Sequence, residues 1–89
     1  MRDKDAAAKA TRHAQIRSRA HTSIASVLRY FLVCDYLPDE LRAASESFCD
    51  LAHDLAEKTS GPETTVALRK LLESKDAAVR ARLHERIEP

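Results

Sequence analysis

The sequence has a single glycine, three prolines and no tryptophan among its 89 residues. Glycine-rich phosphate loops, dinucleotide-binding fingerprints and turn-dense β-folds need several glycines, so the composition excludes them. No apolar run approaches the ~18 residues of a membrane span, and no N-terminal stretch has signal-peptide form. Two cysteines, Cys34 and Cys49, are too few for a disulfide scaffold and indicate a reducing compartment. We therefore expect a small all-α protein of the cytoplasm.

The net charge of +1 conceals a separation of charge along the chain. Residues 1–30 carry seven basic and two acidic side chains, whereas residues 31–89 carry eight basic and twelve acidic ones. The basic segment is open to two interpretations: an arm that binds nucleic acid, or a solvated helix face. It lacks the interleaved aromatic residues that stack on bases, so we do not expect long DNA or RNA as its ligand.

Proline and glycine divide the rest of the chain into two helices. Pro38 followed by two acidic residues is typical of a helix N-terminus, and the apolar spacing that follows predicts a helix over 38–58. A Ser-Gly-Pro-Glu segment at 60–63 marks the next start, and the pattern behind it predicts a helix over 62–86. The short connection favours an antiparallel hairpin.

The N-terminal third is also helical by pattern, over 3–33, but in two parts. The part through Ala20 is rich in Ala and Arg, so we expect 1–15 to be frayed or ordered only by a partner. Its weak apolar stripe consists of Ala10, Ala14 and Ala20. The second part can pack through Ile24, Val27, Leu28, Phe31 and Leu32. The predicted organisation is a basic helical extension, 1–35, followed by a helical hairpin domain, 36–89.

Side chains that catalyse reactions or bind metals are present, but not in patterns specific to either. A nucleophile needs a positioned base and an oxyanion hole, and one glycine leaves no nucleophile elbow. Asp50 and Asp54 indicate a solvated helix face. Cys49 and His53 lie four residues apart, and His84 could join them from the next helix to bind zinc. A strong zinc signature has two paired motifs, so we expect no metal, no cofactor and no catalysis.

The predicted helix over 62–86 carries a group of basic residues. Eleven residues separate Arg69 from Arg80, which is close to three helical turns, so both point to nearly the same side. With Lys70 they either pair with acidic neighbours on a solvated face or line a phosphate pocket at a subunit boundary. Tyr36, just before the turn at Pro38, either packs on the hairpin or faces a ligand.

The second half resembles the phage anti-CBASS protein 2 family, whose members sequester the cyclic oligonucleotide messengers of bacterial immunity. The sequence ETTVALRKLLES at 63–74, followed by AAVRA at 77–81, is similar to the closing helix of that family. Upstream, Tyr36-Leu37-Pro38 matches the family's tyrosine two residues before a proline, and 51–56 matches its Leu-Ala segment. The resemblance covers about residues 36–83. It departs from the family at Ala77, where members have an aromatic residue.

The resemblance implies a helical homo-oligomer, with a hexamer favoured, that binds cyclic di- or trinucleotides or related signalling nucleotides without cleaving them. It places the protein in the cytoplasm of the bacterial host, where such binding lets a phage evade immunity. Tyr36 would stack on a base, and His53 would stand where the family often has a lysine. The candidates for phosphate contact are Arg69, Lys70 and Arg80. The alternative is a small helical interaction module whose basic arm, 2–29, binds nucleic acid or a partner protein.

Overall fold

The computed structural model describes the backbone of residues 2–33 and 37–87, and side chains over 4–33 and 37–85. These residues form α1 (Arg2–Arg19), α2 (Thr22–Leu28), a 3-10 helix (Arg29–Phe31), α3 (Asp39–Lys58) and α4 (Pro62–Ile87). The described part of the chain contains no strand, which confirms the all-α class. None of its helices is both long enough and apolar enough to cross a membrane.

The two helices of the second half agree with the predicted bounds, 38–58 and 62–86, to within one residue. Pro38 is the N-cap of α3 in an extended conformation, with two acidic residues in the first turn behind it. The helix ends where the Thr59 N–H donates to the Leu55 carbonyl at 2.9 Å. Gly61 then adopts a φ of 93°, which favours glycine, and α4 begins at the next residue. α3 and α4 pack against each other.

The N-terminal third forms two helices instead of the continuous helix predicted over 3–33. α1 ends at Arg19, and His21 adopts an extended conformation as the N-cap of α2. The Nδ1 atom of His21 accepts a hydrogen bond from the Ser23 N–H at 3.2 Å, which satisfies a free donor of the first turn. This side-chain cap explains a break that contains neither glycine nor proline.

The expectation that residues 1–15 are frayed or ordered only by a partner is wrong. α1 is helical from Arg2, and its Lys9 and His13 side chains contact α3 of the same chain. α1 is therefore part of the folded chain.

A single apolar core joins the N-terminal helices to α3 and α4. Its buried members are Ile16, Ile24, Val27, Leu28, Phe31, Cys49, Ala52 and Leu68. Lys75 closes one side of this core, because its Nζ donates to the Tyr30 carbonyl at 2.8 Å and lies 5.9 Å from the centre of the Phe31 ring. Residues before and after position 36 thus share one core.

Candidate functional site

Beside its core residue Ile16, α1 contacts α3 through a row of polar side chains. Lys9, His13 and Arg17 are spaced four apart and therefore lie on one face of the helix. Of the weak alanine stripe seen in the sequence, Ala10 and Ala14 are exposed, whereas Ala20 is half-buried against the core. The side of α3 that faces Lys9, His13 and Arg17 carries Glu46, Cys49, Asp50 and His53.

Lys9 forms the outermost contact between the two helices. Its Nζ lies 3.0 Å from Glu46 Oε1 and 3.2 Å from Asp50 Oδ2. The hydrogen bond to Glu46 raises the pKa of Lys9 above its usual value. The ammonium therefore stays charged and spans two carboxylates that belong to successive turns of α3.

His53 is fully buried, and both of its ring nitrogens are engaged. Its Nδ1 lies 2.8 Å from the Cys49 carbonyl oxygen, and its Nε2 lies 2.9 Å from Nη1 of Arg17. A carbonyl only accepts and a guanidinium only donates, so the proton resides on Nδ1 and the ring is neutral. Burial also lowers the pKa of His53, which favours the same state.

His13 packs flat against His53. The two ring centres are 4.0 Å apart, with planes 8° from parallel, and His13 is only 5% exposed. Burial, followed by the proximity of His53, lowers the pKa of His13 to about 4, so this ring is also neutral at pH 7. Its Nε2 lies 3.8 Å from Oδ1 of Asp50, and within the described residues neither buried atom has a hydrogen-bond partner.

Cys49 completes a buried group that we call the His-Cys-His cluster: His13, Cys49 and His53. The Cys49 Sγ lies 3.9 Å from Nδ1 of His13 and 3.7 Å from Nδ1 of His53. One donor atom from each residue fits within 4.8 Å of the others. Burial raises the pKa of the thiol, so Cys49 is protonated at pH 7.

The cluster differs from the zinc trio considered from the sequence. Cys49 and His53 come together as their spacing suggests, but His13 of α1 is the third member, and His84 is exposed on α4. A cleft of about 400 Å³ opens beside the cluster and is lined partly by Lys9 and Arg17. The contact between α1 and α3 could have been predicted from the four-residue spacing of Lys9, His13 and Arg17 in the sequence.

The predicted ligand residues are not gathered at one place. Tyr36 lies outside the described residues. His53, predicted to meet phosphate or base, offers no exposed atom to a ligand in this chain. Lys70 and Arg80 are exposed on α4. Arg69 is also exposed, and it lines a groove between α2 and the start of α4.

This groove, which we call the α2–α4 groove, has a volume of about 640 Å³, within the range of small-molecule sites. Its walls combine apolar side chains, hydroxyl groups and one guanidinium, contributed by His21, Ser23, Ile24, Ser60, Gly61, Pro62, Thr65, Val66 and Arg69. The residues from α2 were not among the predicted ligand residues. They come to the groove because His21 caps α2 at this position.

No protein-family model, curated protein or solved structure matches this chain. The similarity to the anti-CBASS protein 2 family therefore remains a prediction from sequence.

Proposed function

We propose that the protein binds cyclic oligonucleotide messengers, or chemically related signalling nucleotides, and sequesters them without cleavage. The proposal rests on the resemblance over residues 36–83 and on one structural observation. Arg69, predicted from the sequence to contact phosphate, lines the α2–α4 groove. The protein would in this way protect a phage from bacterial immunity in the cytoplasm of its host.

The α2–α4 groove offers the two kinds of contact that a nucleotide needs. Ile24, Pro62 and Val66 supply apolar surface for a base or a sugar. Arg69 supplies a guanidinium that can donate two parallel hydrogen bonds to a phosphate. The groove also lies at the N-terminus of α4, where the helix dipole favours an anion. With one glycine in the chain, phosphate recognition must come from such side chains and from helix ends.

We further propose that the groove is completed in a homo-oligomer, with a hexamer favoured, built from the helical hairpin α3–α4. Large apolar side chains remain exposed on both helices, including Leu51 at 45% and Val66 at 42%. Val66 also lines the groove, so a second protomer that covers it would deepen the site. A chain of this size buries only about 60–65% of its unfolded surface by itself, which favours burial between subunits.

The remaining predicted residues have separate roles in this proposal. Arg69 and Arg80 point to nearly the same side of α4, about 17 Å apart along the axis, a separation that suits two anionic groups and exceeds one phosphate. Lys70 projects to a neighbouring side of the same helix. Tyr36 would stack on a base. His53 has both nitrogens engaged within the chain, so in place of phosphate contact we assign it the packing of α1 on α3.

Calorimetric titration of the full chain with cyclic di- and trinucleotides tests the proposal. We expect saturable binding, and release of the intact nucleotide when the complex is denatured and analysed by mass spectrometry. Native mass spectrometry of the same sample reports the number of subunits. If no cyclic di- or trinucleotide binds, cyclic ADP-ribose isomers are the next class to titrate. Absence of binding to both classes, or recovery of a cleaved product, contradicts the proposal.

The alternative is a basic arm that binds nucleic acid or a partner protein, and fewer basic side chains of α1 are available for it than the sequence suggests. Two basic residues of α1, Lys9 and Arg17, bond to α3 and are not offered to a ligand. Deletion of residues 2–29 would not test the alternative cleanly, because that segment contributes to the core. Double substitution of the exposed Arg12 and Arg19 by Gln is the better variant. Loss of salt-sensitive DNA binding in that variant would favour the alternative.

A further inference from the structure

We propose that the His-Cys-His cluster binds a zinc ion between α1 and α3, with Asp50 as the fourth ligand. Three features of the geometry support this: the spacing of the donor atoms, the orientation of His53, and two buried polar atoms left without partners. The proposal does not depend on nucleotide binding, because neither the cluster nor Asp50 lines the α2–α4 groove.

The His-Cys-His cluster brings three potential ligand atoms for a small transition-metal ion close together. Tetrahedral zinc has bonds of about 2.3 Å to sulfur and about 2.0–2.1 Å to nitrogen, which places its ligand atoms roughly 3.5 Å apart. One ligand atom from each of His13, Cys49 and His53 lies within 4.8 Å of the other two, so a small movement of the side chains brings them to that separation. One thiolate, two imidazoles and one carboxylate are ligands that zinc accepts.

His53 already has the orientation of a zinc ligand. Its Nδ1–H donates to the Cys49 carbonyl at 2.8 Å, and a metal-binding histidine usually makes such a bond with the nitrogen that does not bind the ion. The lone pair on Nε2 is the one offered to a metal. Nη1 of Arg17 donates a hydrogen bond to this lone pair, with 2.9 Å between Nη1 and Nε2, so the guanidinium competes with the ion for Nε2.

His13 and Asp50 supply the two buried atoms that lack partners. His13 Nε2 and Asp50 Oδ1 lie 3.8 Å apart, and within the described residues neither has a hydrogen bond. A buried polar atom without a partner costs about 1–3 kcal/mol, and a metal ion between the two atoms would satisfy both. A metal lies in the plane of each imidazole that binds it, so His13 must turn out of its stack on His53. This turn breaks no hydrogen bond at Nε2.

Metal binding at this site has a defined proton balance. The thiolate is the form of cysteine that binds zinc, so Cys49 must give up its Sγ proton to solvent when the ion binds. Zinc binding therefore releases one proton per ion, from Cys49 Sγ, and the sulfur keeps the electron pair that forms the zinc bond. The ion would then link α1 to α3 through side chains of both helices.

Cobalt(II) titration of the full chain tests the site, because a thiolate bound to Co²⁺ gives a charge-transfer absorption band. The parent protein is the Cys34→Ser variant, in which Cys49 is the sole thiol. We expect one Co²⁺ per chain, a charge-transfer band, release of one proton per ion, and displacement of Co²⁺ by Zn²⁺. Cys49→Ser should abolish the band. His13→Gln should weaken binding by more than about 10-fold, the loss that even outer-sphere partners of a metal cause.

Two further variants sharpen the test. His84→Gln changes an exposed histidine of α4 outside the cluster, so its Co²⁺ affinity should equal that of the parent. Arg17→Met removes the group that competes for His53 Nε2, so its affinity should rise. The proposal is overturned if the folded parent shows no charge-transfer band, if the band survives Cys49→Ser, or if His13→Gln leaves the affinity unchanged. The parent's own spectrum decides the matter should a variant fail to fold.

Discussion

The imidazole rings of His13 and His53 lie face to face, 4.0 Å between centres and 8° from parallel, at the contact between α1 and α3. A proton on either ring would place a buried charge beside the other, so the stack favours the neutral form of both rings. Arg17 reinforces this state by donating to His53 Nε2, the atom that would receive the proton. The packing of α1 on α3 is therefore coupled to pH.

The first prediction is a loss of stability on acidification. The unfolded chain binds a proton at position 13 near the usual pKa of 6.5, whereas the folded chain resists protonation until about 4. Between these values the unfolded state binds more protons, so the free energy of unfolding falls as pH drops through this window. His13 alone accounts for a loss of about 3 kcal/mol. Urea unfolding followed by circular dichroism between about pH 7 and pH 4 measures it.

His13→Gln provides the matched comparison. A neutral amide does not titrate, so this variant should lose the part of the pH dependence that His13 contributes and keep the part from His53, whose pKa burial also lowers. Equal slopes for the parent and His13→Gln would show that the stack does not carry the effect.

The second prediction concerns the bridge from Lys9 to Glu46 and Asp50. Lys9→Met keeps the aliphatic stem but removes the ammonium that spans the two carboxylates. Exposed ion pairs contribute little, so we expect a loss of about 1 kcal/mol at low salt that shrinks as salt rises. Thermal unfolding at two salt concentrations measures the loss of stability at low salt and its decrease at high salt.

Lys58→Met is the control for that bridge. Lys58 pairs with Asp54 four residues earlier on the same helix, and such pairs contribute about 0.3–0.5 kcal/mol. If both variants lose the same small amount, the Lys9 contact adds nothing beyond an ordinary helix pair and does not help to hold α1 in place.

Much of this fold is predictable from local sequence. The starts of α3 and α4 follow from Pro38 and from the Ser-Gly-Pro-Glu segment at 60–63, because proline and glycine restrict the backbone whatever the tertiary context. The break before α2 was missed, since it depends on the His21 side chain accepting from the Ser23 N–H. A histidine cap is uncommon, and nothing in the spacing of apolar residues marks it.

The candidate metal site was missed for a different reason. The weak apolar stripe visible in the sequence of α1 includes Ala10 and Ala14, but the buried face of the helix carries His13 instead. A lone histidine has no strong preference for burial, and its burial here is decided by the neutral ring of His53 and by Cys49 on another helix. The spacing of Cys49 and His53 was visible in sequence, but their third partner depends on how two distant helices pack.

The third prediction separates the core from the proposed subunit interface. Leu68 is fully buried, so Leu68→Ala should cost about 2–5 kcal/mol and lower the melting temperature markedly. Leu51 is 45% exposed, so Leu51→Ala should cost about 0.5 kcal/mol or less within one chain. A large loss of stability in Leu51→Ala, accompanied by a smaller particle in light scattering, would place Leu51 between subunits. If the particle size does not change, Leu51 is not part of the proposed interface.

The last prediction tests the assignment of Arg69. In Arg69→Gln the α2–α4 groove keeps its shape and hydroxyl groups but loses its guanidinium, so the affinity for a cyclic nucleotide should fall about 10-fold or more. Hydrogen bonds to charged groups contribute about 1.5–3 kcal/mol, and 1.4 kcal/mol corresponds to a factor of ten. Lys70→Gln is the matched control, because it removes the same charge from the adjacent residue, which does not line the groove. Calorimetric titration of both variants discriminates between two causes of binding: equal losses would indicate attraction to the general charge of α4, whereas a loss confined to Arg69→Gln indicates a phosphate bound in the groove.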